Sequence, residues 1–435
     1  MEWYAVLIAG LTLLLGLFLS GAPIFIAFMI INVVGTLVYF GPAGFGMFAN
    51  SLYDTTTFPT LIAVPLFILM GEFLFRSGAM DVLYNSLDKL VGKSRLRLYY
   101  LSIALSTMFG ALSGAAMGVV AMLGRSLYPG LVARGYDRKI STGTILAGAS
   151  LAPIIPPSIL VIIIGSLAQV SIAKLLIAGI VPGLILSGLF LTYIIIRVKL
   201  DPTKAPAVAD DVGDVTWSDR GMALVRMIPF TIIILGVLGT IMAGIATPEE
   251  SAGTGVLGTL IVAWIYGRLN TGLIREACDS TTRITAMILA IMMSSKMFGQ
   301  LLAFSGTTTA LVGFVSEVDV NRWVLLFILM AVPFLLCLFI DQVALMLVVI
   351  PIYMPLLQPL GFDPIWFWLL FLINITVGGI TPPFGYTMFA FKGGQPDVPM
   401  TDIYNAAWPF VFMFLFGMLI FAVFPGIVTW LPGLV

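Results

Sequence analysis

Residues Gly148–Leu160 read GASLAPIIPPSIL, and residues Asn374–Thr387 read NITVGGITPPFGYT. Each puts a Pro-Pro pair inside a long apolar run, after Pro153 in the first and after Gly378-Gly379 in the second. Proline has no backbone donor and clashes with the carbonyl one turn back, so a tandem pair unwinds a helix. Carbonyls freed in lipid are costly unless they face protein or a cavity. Both stretches therefore predict membrane helices broken near their middle, with the break turned inward. A single proline reads as a structural kink; a pair at matching positions of two halves reads as a functional break.

The rest of the chain supports a membrane setting. Of 435 residues, 60% are hydrophobic and only 10% charged, against about 25% charged in a soluble domain. Mean hydropathy is +1.10. This excludes a disordered chain, a nucleic-acid binder and an ordinary soluble enzyme. There is no histidine, which removes histidine-based acid–base catalysis, triads and histidine metal sites. Cys278 and Cys337 are too few for a disulfide framework or thiolate cluster.

A bilayer core needs about 20 helical residues per crossing. Candidate spans fall at 3–20, 23–40, 58–76, 140–170, 174–197, 222–245, 251–267, 284–305, 364–391 and 404–431. The first run, Tyr4–Leu19, lacks the basic flank and cleavage site of a removed leader. Two further stretches, 98–133 and 323–361, are too long for one crossing and are interrupted by Ser113-Gly114 and Asp341-Gln342. They read as helical hairpins that enter and leave on one side.

Basic residues sort by side. Sixteen of the 21, from Lys89 to Lys392, flank spans on a single face, while Lys174 and Arg322 fall opposite. The positive-inside rule makes the basic face cytoplasmic and places both termini in the periplasm. Residues 200–221 (DPTKAPAVADDVGDVTWSDRG, with Leu200 before them) form a cytoplasmic linker that divides the chain into a first repeat, 1–199, and a second, 222–435.

The halves match in order. Gly135–Asp137 (GYD) precedes Pro156-Pro157 as Gly361–Asp363 (GFD) precedes Pro382-Pro383, both at an offset of 226 residues, and Pro129 and Pro355 share it. Gly71–Gly78 (GEFLFRSG) aligns with Gly299–Gly306 (GQLLAFSG) at an offset of 228. Five crossings per half make the second copy inverted, and the reversed charge around the two hairpins agrees. Inverted repeats with broken helices are the architecture of secondary transporters, with sites near the midplane.

Hydroxyls and freed carbonyls at the breaks suit Na⁺, a hard cation that takes oxygen ligands. The cation candidates are Ser113, Gly114, Pro153, Ser158, Asp341, Gly378, Gly379 and Thr381. Asp341 stands out, because a carboxylate at that depth is expensive without a partner; it either ligates a cation, takes a proton or caps hairpin amides. Its repeat-mate is Ala115. Ser158, Lys296, Asn374 and Thr387 are substrate-binding candidates, Lys296 as an ammonium for an anion or as half of an ion pair. Glu72 and Arg125 are weaker candidates. No catalytic group, cofactor or metal other than Na⁺ is expected.

GALSG, P-G-x-x-x-R-G-Y-D, IIPPSI and KLLIAGIVPGLIL in the first half, with ATPEESAG, FIDQVALMLVVIPIYMPLLQPLGFDP and GGITPPFGYTMFAF in the second, resemble the large membrane subunit of TRAP transporters over nearly the whole chain. The resemblance implies an all-α polytopic membrane protein of the DctM type, with two inverted repeats, each holding a re-entrant hairpin and a broken helix, working as an elevator. It implies Na⁺-driven import of organic acids (C4-dicarboxylates, sugar acids or similar carboxylates) across the bacterial or archaeal cytoplasmic membrane. It implies a small four-helix membrane subunit of the DctQ type and a periplasmic substrate-binding protein of the DctP type. Ala115 and Ala116 stand where the family has serines, which leaves the cation stoichiometry open, and Arg125 stands where family members are apolar. The alternative is a self-sufficient cation- or proton-coupled anion carrier of the same superfamily, acting without a binding protein.

Overall fold

The computed structural model describes residues 2–91, 94–113, 116–206, 216–317 and 320–435. In chain order the helices are α1 (Trp3–Leu19), α2 (Ile24–Phe40), α3 (Gly46–Thr56), α4 (Ala63–Arg76), α5 (Ala79–Val91), α6 (Arg97–Ser113), α7 (Ala116–Ser126), α8 (Tyr128–Ala133), α9 (Arg138–Ala149), α10 (Ile159–Leu167), α11 (Ile172–Ala178) and α12 (Ile180–Leu200). After the linker come α13 (Trp217–Met242), α14 (Pro248–Ile265), α15 (Thr271–Phe304), α16 (Thr307–Glu317), α17 (Arg322–Cys337), α18 (Gln342–Leu357), α19 (Pro364–Gly378), α20 (Tyr386–Gly394), α21 (Met400–Val423) and α22 (Gly426–Thr429). Among the described residues there is no strand. Seven helical segments among the described residues are long and apolar enough to cross a bilayer.

The matched motifs prove to be stop and start signals. Gly78 and Gly306, which close GEFLFRSG and GQLLAFSG, have φ of +77° and +76°, and each follows the last turn of a helix, α4 or α15. Only glycine takes that conformation without steric cost. Gly135 and Gly361 of GYD and GFD are also left-handed, at +81° and +63°. The aspartates that follow are N-caps: Asp137 accepts from the Ile140 amide at 2.9 Å and opens α9, and Asp363 accepts from Trp366 at 2.8 Å and opens α19. Each cap satisfies an amide that the first helical turn leaves unpaired.

Both Pro-Pro stretches break their helices. α9 stops at Ala149 and α10 starts at Ile159; α19 stops at Gly378 and α20 starts at Tyr386. The 323–361 stretch holds two helices, α17 and α18. The 98–133 stretch differs: it holds three helices, α6, α7 and the short α8. A Pro129-containing turn after Ser126 starts the third, and proline suits a first helical turn. Hydropathy did not reveal α3, α5 or α16, which are too short or too polar to read as spans. α5 packs along α13.

Packing groups the helices across both halves of the sequence. α1–α5 pack with α13–α16, through α4 on α14, α5 on α13, and α2 and α4 on α15. α6–α12 pack with α17–α22, through α9 on α21, α20 on α7, α12 on α21 and α17 on α19. The second body is the better sealed. Phe367, Trp368, Phe371, Phe410 and Phe414 are almost fully buried in it; among membrane helices such packing gains by close van der Waals contact, since the lipid it replaces is equally apolar.

The start of the linker is tied down. Arg95 donates to the carbonyls of Pro202, Ala205 and Pro206, and the Tyr99 hydroxyl donates to Lys204 O at 2.8 Å. Lys204 Nζ lies 2.8 Å from Asp137 Oδ2. Burial works against the charge on Asp137, but the Lys204 ammonium and the Ile140 amide outweigh it and hold the carboxyl below its usual range. The same bond raises Lys204.

Candidate functional site

Each break is met by the end of the hairpin helix that precedes it. In the first half, a Cβ added to Gly110 on α6 would stand 2.7 Å from Ala152 Cβ, so helix and break touch backbone to backbone. In the second half, a Cβ on Gly378 would stand 2.4 Å from Cys337 Cβ at the end of α17. Real Cβ contacts are not that short, so both approaches require glycine. The second contact continues into the hairpin turn, where the Phe339 and Phe384 rings lie 5.6 Å apart. Cys337 Sγ also donates to Ile375 O at 3.3 Å.

In the first break the Ser158 hydroxyl donates to Pro153 O at 2.6 Å and accepts from the Val161 amide at 3.3 Å, opening α10. Two of the predicted residues thus satisfy each other, leaving one lone pair on the Pro153 carbonyl. Ser106 on α6 sits against Gly148 with a buried hydroxyl that has no partner. Gly114 and the Ser113 side chain lie outside the described residues, as does Ala115; Ala116 is buried.

In the second break the Thr381 hydroxyl donates to Val377 O at 2.7 Å, and the Thr387 hydroxyl donates to Gly379 O at 2.9 Å. Gly378 O accepts from the Thr381 amide at 3.1 Å. Asn374 is buried and donates to Met330 O at 2.8 Å, which ties α19 to α17. Asp341 caps α18, accepting from Val343 N at 2.9 Å and Ala344 N at 3.4 Å through Oδ1. Among the described residues no Lys or Arg pairs with it.

Two other buried oxygens have no partner among the described residues: the Tyr386 hydroxyl, and Oε1 of Gln342, which follows Asp341 in sequence. The Tyr386 ring lies against Gly379, where an added Cβ would meet it at 2.2 Å. A buried polar atom without a partner costs about 1–3 kcal/mol. A carboxylate with no counter-ion among the described residues and a phenol oxygen at the broken helix are groups that a cation would satisfy. Tyr386 and Gln342 were not singled out from the sequence. The available signal was their adjacency to Thr387 and Asp341 at the two helix starts.

The remaining candidates lie elsewhere. Lys296 pairs with Asp54 on α3 at 3.1 Å and is partly exposed. Both line a cavity of about 610 Å³ with Thr55, Thr60, Ser166 and Glu249, apart from either break. Glu72 bonds Arg76 at 2.9 Å and Ser280 at 2.8 Å within the first body. Arg125 runs its stem along Gly394 on α20. Neither Glu72 nor Arg125 joins the breaks.

This arrangement of broken helices and hairpins has relatives. Residues 11–427 match the family described as "Tripartite ATP-independent periplasmic transporter, DctM component". The chain belongs to this family. The ectoine TRAP transporter large permease protein TeaC of Halomonas elongata is 29% identical over 433 residues, covering 97% of each chain. The C4-dicarboxylate TRAP transporter large permease protein DctM of Pseudomonas aeruginosa is 28% identical over 401 residues, covering 92% of each. Among solved structures, the YdaH transporter of Alcanivorax borkumensis superimposes with a TM-score of 0.63 over 88% of this chain and 89% of that one, at 19% identity. That last likeness concerns fold alone. This DctM-family chain is therefore a multi-pass membrane protein and a TRAP large permease, a transporter component and not an enzyme.

Proposed function

We propose that this chain is the large membrane subunit of a Na⁺-coupled secondary transporter that imports organic acids handed over by a periplasmic substrate-binding protein, with a small four-helix membrane subunit as its second partner. The observation that carries the coupling is Asp341. It is a carboxylate at a hairpin turn with no basic partner among the described residues, and the Tyr386 hydroxyl at the α19–α20 break and the oxygen of the adjoining Gln342 also find no partner there. The cation is taken by Asp341, Tyr386 and Gln342 with carbonyls of Gly378 and Gly379 and the Thr381 hydroxyl. A second cation is held by Pro153 and Ser158 with Ser113 and Gly114. The half-helices that begin at Ile159 and Tyr386 turn amide N–H groups toward the substrate carboxylate, with Ser158, Asn374 and Thr387 around it.

The family's description as tripartite supports two partner proteins. The names of two relatives, an ectoine and a C4-dicarboxylate permease, support a carboxylate substrate. Two groups of helices whose strongest packing lies within each group support an elevator, in which α6–α12 with α17–α22 carry the site past α1–α5 and α13–α16. Recurrence of the hairpin–break contact at Gly110–Ala152 and Cys337–Gly378 supports the inverted repeat. Charge sorting supports a cytoplasmic-membrane location with both termini periplasmic.

Uptake of a labelled dicarboxylate or ectoine into proteoliposomes, with and without the small subunit, the binding protein and a Na⁺ gradient, tests the reading. Uptake requires all three. Full uptake without binding protein overturns the tripartite reading, and full uptake without Na⁺ overturns the coupling.

A further inference from the structure

We propose that Ser295 is a positioning residue for the transport cycle: its hydroxyl holds the second hairpin against the first body in the conformation seen here, and that bond breaks each time the bodies move past one another. The inference rests on the elevator reading above.

α18 contains Pro351. In an α-helix the amide of residue 351 would bond the carbonyl of residue 347, and proline has no N–H to give. The Leu347 carbonyl is therefore left without its helical donor while nearly fully buried. Ser295 on α15 fills the gap: its hydroxyl, fully buried, donates to Leu347 O. One turn further along α15, Gly299 faces Pro351, where an added Cβ would stand 3.0 Å from Pro351 Cβ. Serine and glycine four apart on one helix thus fit a free carbonyl and a proline four apart on the other. α15 belongs to the first body and α18 to the second. Among the described residues this is the one side-chain hydrogen bond that joins the bodies away from the α5–α6 connection.

The matching place in the first half is built differently. At the repeat offsets, Ser295 corresponds to Phe67, Leu347 to Ala121 and Pro351 to Arg125, so there is no hydroxyl and no freed carbonyl. There α4 faces α7 across a cavity of about 450 Å³ lined by Gly71, Gly118 and Val119. One side of the seam is closed by a hydrogen bond and the other is open. A bond present on one side only biases the equilibrium between two positions of the moving body.

The test measures that equilibrium by electron–electron resonance distances. Spin labels go on Trp217→Cys at the start of α13 and Arg134→Cys after α8, both exposed and one in each body, in a Cys278→Ser background that removes the exposed native thiol. Two distance populations are expected. Ser295→Ala raises the ratio of the second to the first about fivefold, the value of one ordinary hydrogen bond; Ser295→Thr, which keeps the hydroxyl, stays within about twofold of wild type. Pro351→Ala gives Leu347 O a donor inside its own helix, so adding Ser295→Ala to it changes the ratio less than about twofold. That non-additivity is the signature of the Ser295–Leu347 bond, which simple packing would not produce. Two populations whose ratio Ser295→Ala leaves unchanged overturn the proposal and spare the elevator. A single distance under every ion and substrate condition overturns both.

Discussion

Gly378→Ala is the sharpest probe of how hairpin and break meet, because it alters no carbonyl, charge or hydroxyl. The added methyl would start 2.4 Å from Cys337 Cβ and 3.2 Å from its Sγ, so α17 must retreat by at least half an ångström. Overpacking of this kind costs about 1–3 kcal/mol, against roughly 0.5–1 kcal/mol gained by replacing a helical glycine. The net loss is at most about 2.5 kcal/mol. With an unfolding entropy near 2.1 cal/mol/K per residue, that lowers Tm by no more than about 3 °C in a chain of this size. Transport suffers more than stability, because the hairpin turn carrying Asp341 is displaced from the break; uptake drops on the order of tenfold. Cys337→Gly/Gly378→Ala places here the pair that the first half already uses at Gly110 and Ala152. It returns uptake to within about threefold of wild type, since the new alanine gain and glycine cost nearly cancel. Thermal unfolding in detergent and uptake in proteoliposomes read both quantities. Wild-type uptake by Gly378→Ala, or a double variant worse than the single, would refute the contact.

Asp341→Asn keeps a side-chain oxygen for the Val343 amide, so Tm changes by less than about 2 °C while Na⁺-dependent uptake drops at least about tenfold; unaltered Na⁺ dependence removes Asp341 from the site. Tyr386→Phe deletes a hydroxyl that has no protein partner, leaving stability unchanged within about 1 kcal/mol and raising the Na⁺ concentration for half-maximal uptake about 3–10-fold. A clear loss of stability with unchanged Na⁺ response would count against the cation role. The Asp137–Lys204 tie has a pH window. Asp137 is depressed, so its contribution is present above the ordinary carboxylate range and lost as pH falls through its lowered value; Lys204 is raised, so its contribution is present below the ordinary lysine range and lost as pH rises through its raised value. The protection factor of the Asp137 amide, which bonds Lys204 O at 3.1 Å, taken against intrinsic exchange at each pH, stays high between about pH 4 and pH 10 and falls outside it. Equal protection across that range and beyond would discount the tie.

The sequence was most legible where backbone chemistry is local. Pro-Pro pairs broke their helices at the expected places, and the repeated GYD and GFD turned out to be a left-handed glycine followed by an N-cap, a signal that needs no distant partner. Asp341 was legible for the same reason: a carboxylate in an apolar run is conspicuous. What was not legible depends on tertiary pairing. Hydropathy reads a span by apolar content, so the short amphipathic α3 and α5 left no clear mark. For Lys296 an anion site and an ion pair both stood open, and the sequence does not show that the acid beside it is Asp54 on α3. Ser158 and Pro153 were named as separate ligands, but across five residues one donates to the other. Tyr386 was passed over because nothing in FGYT says that its hydroxyl, unlike that of Thr387, finds no acceptor.

The interleaved packing of the two bodies bears on how the chain is made. α4 rests mainly on α14, and α9 rests on α21, so neither body has its neighbours until the second half emerges. Between Arg76 and Pro248, synthesis at about 5–20 residues per second takes on the order of ten seconds or more. Through that interval α4 stands in lipid with its future interface uncovered, which is tolerable because lipid tails are as apolar as the helix that will replace them. The first half is thus inserted before its fold can be completed. Its last step of assembly is the arrival of α21, nearly the final helix of the protein.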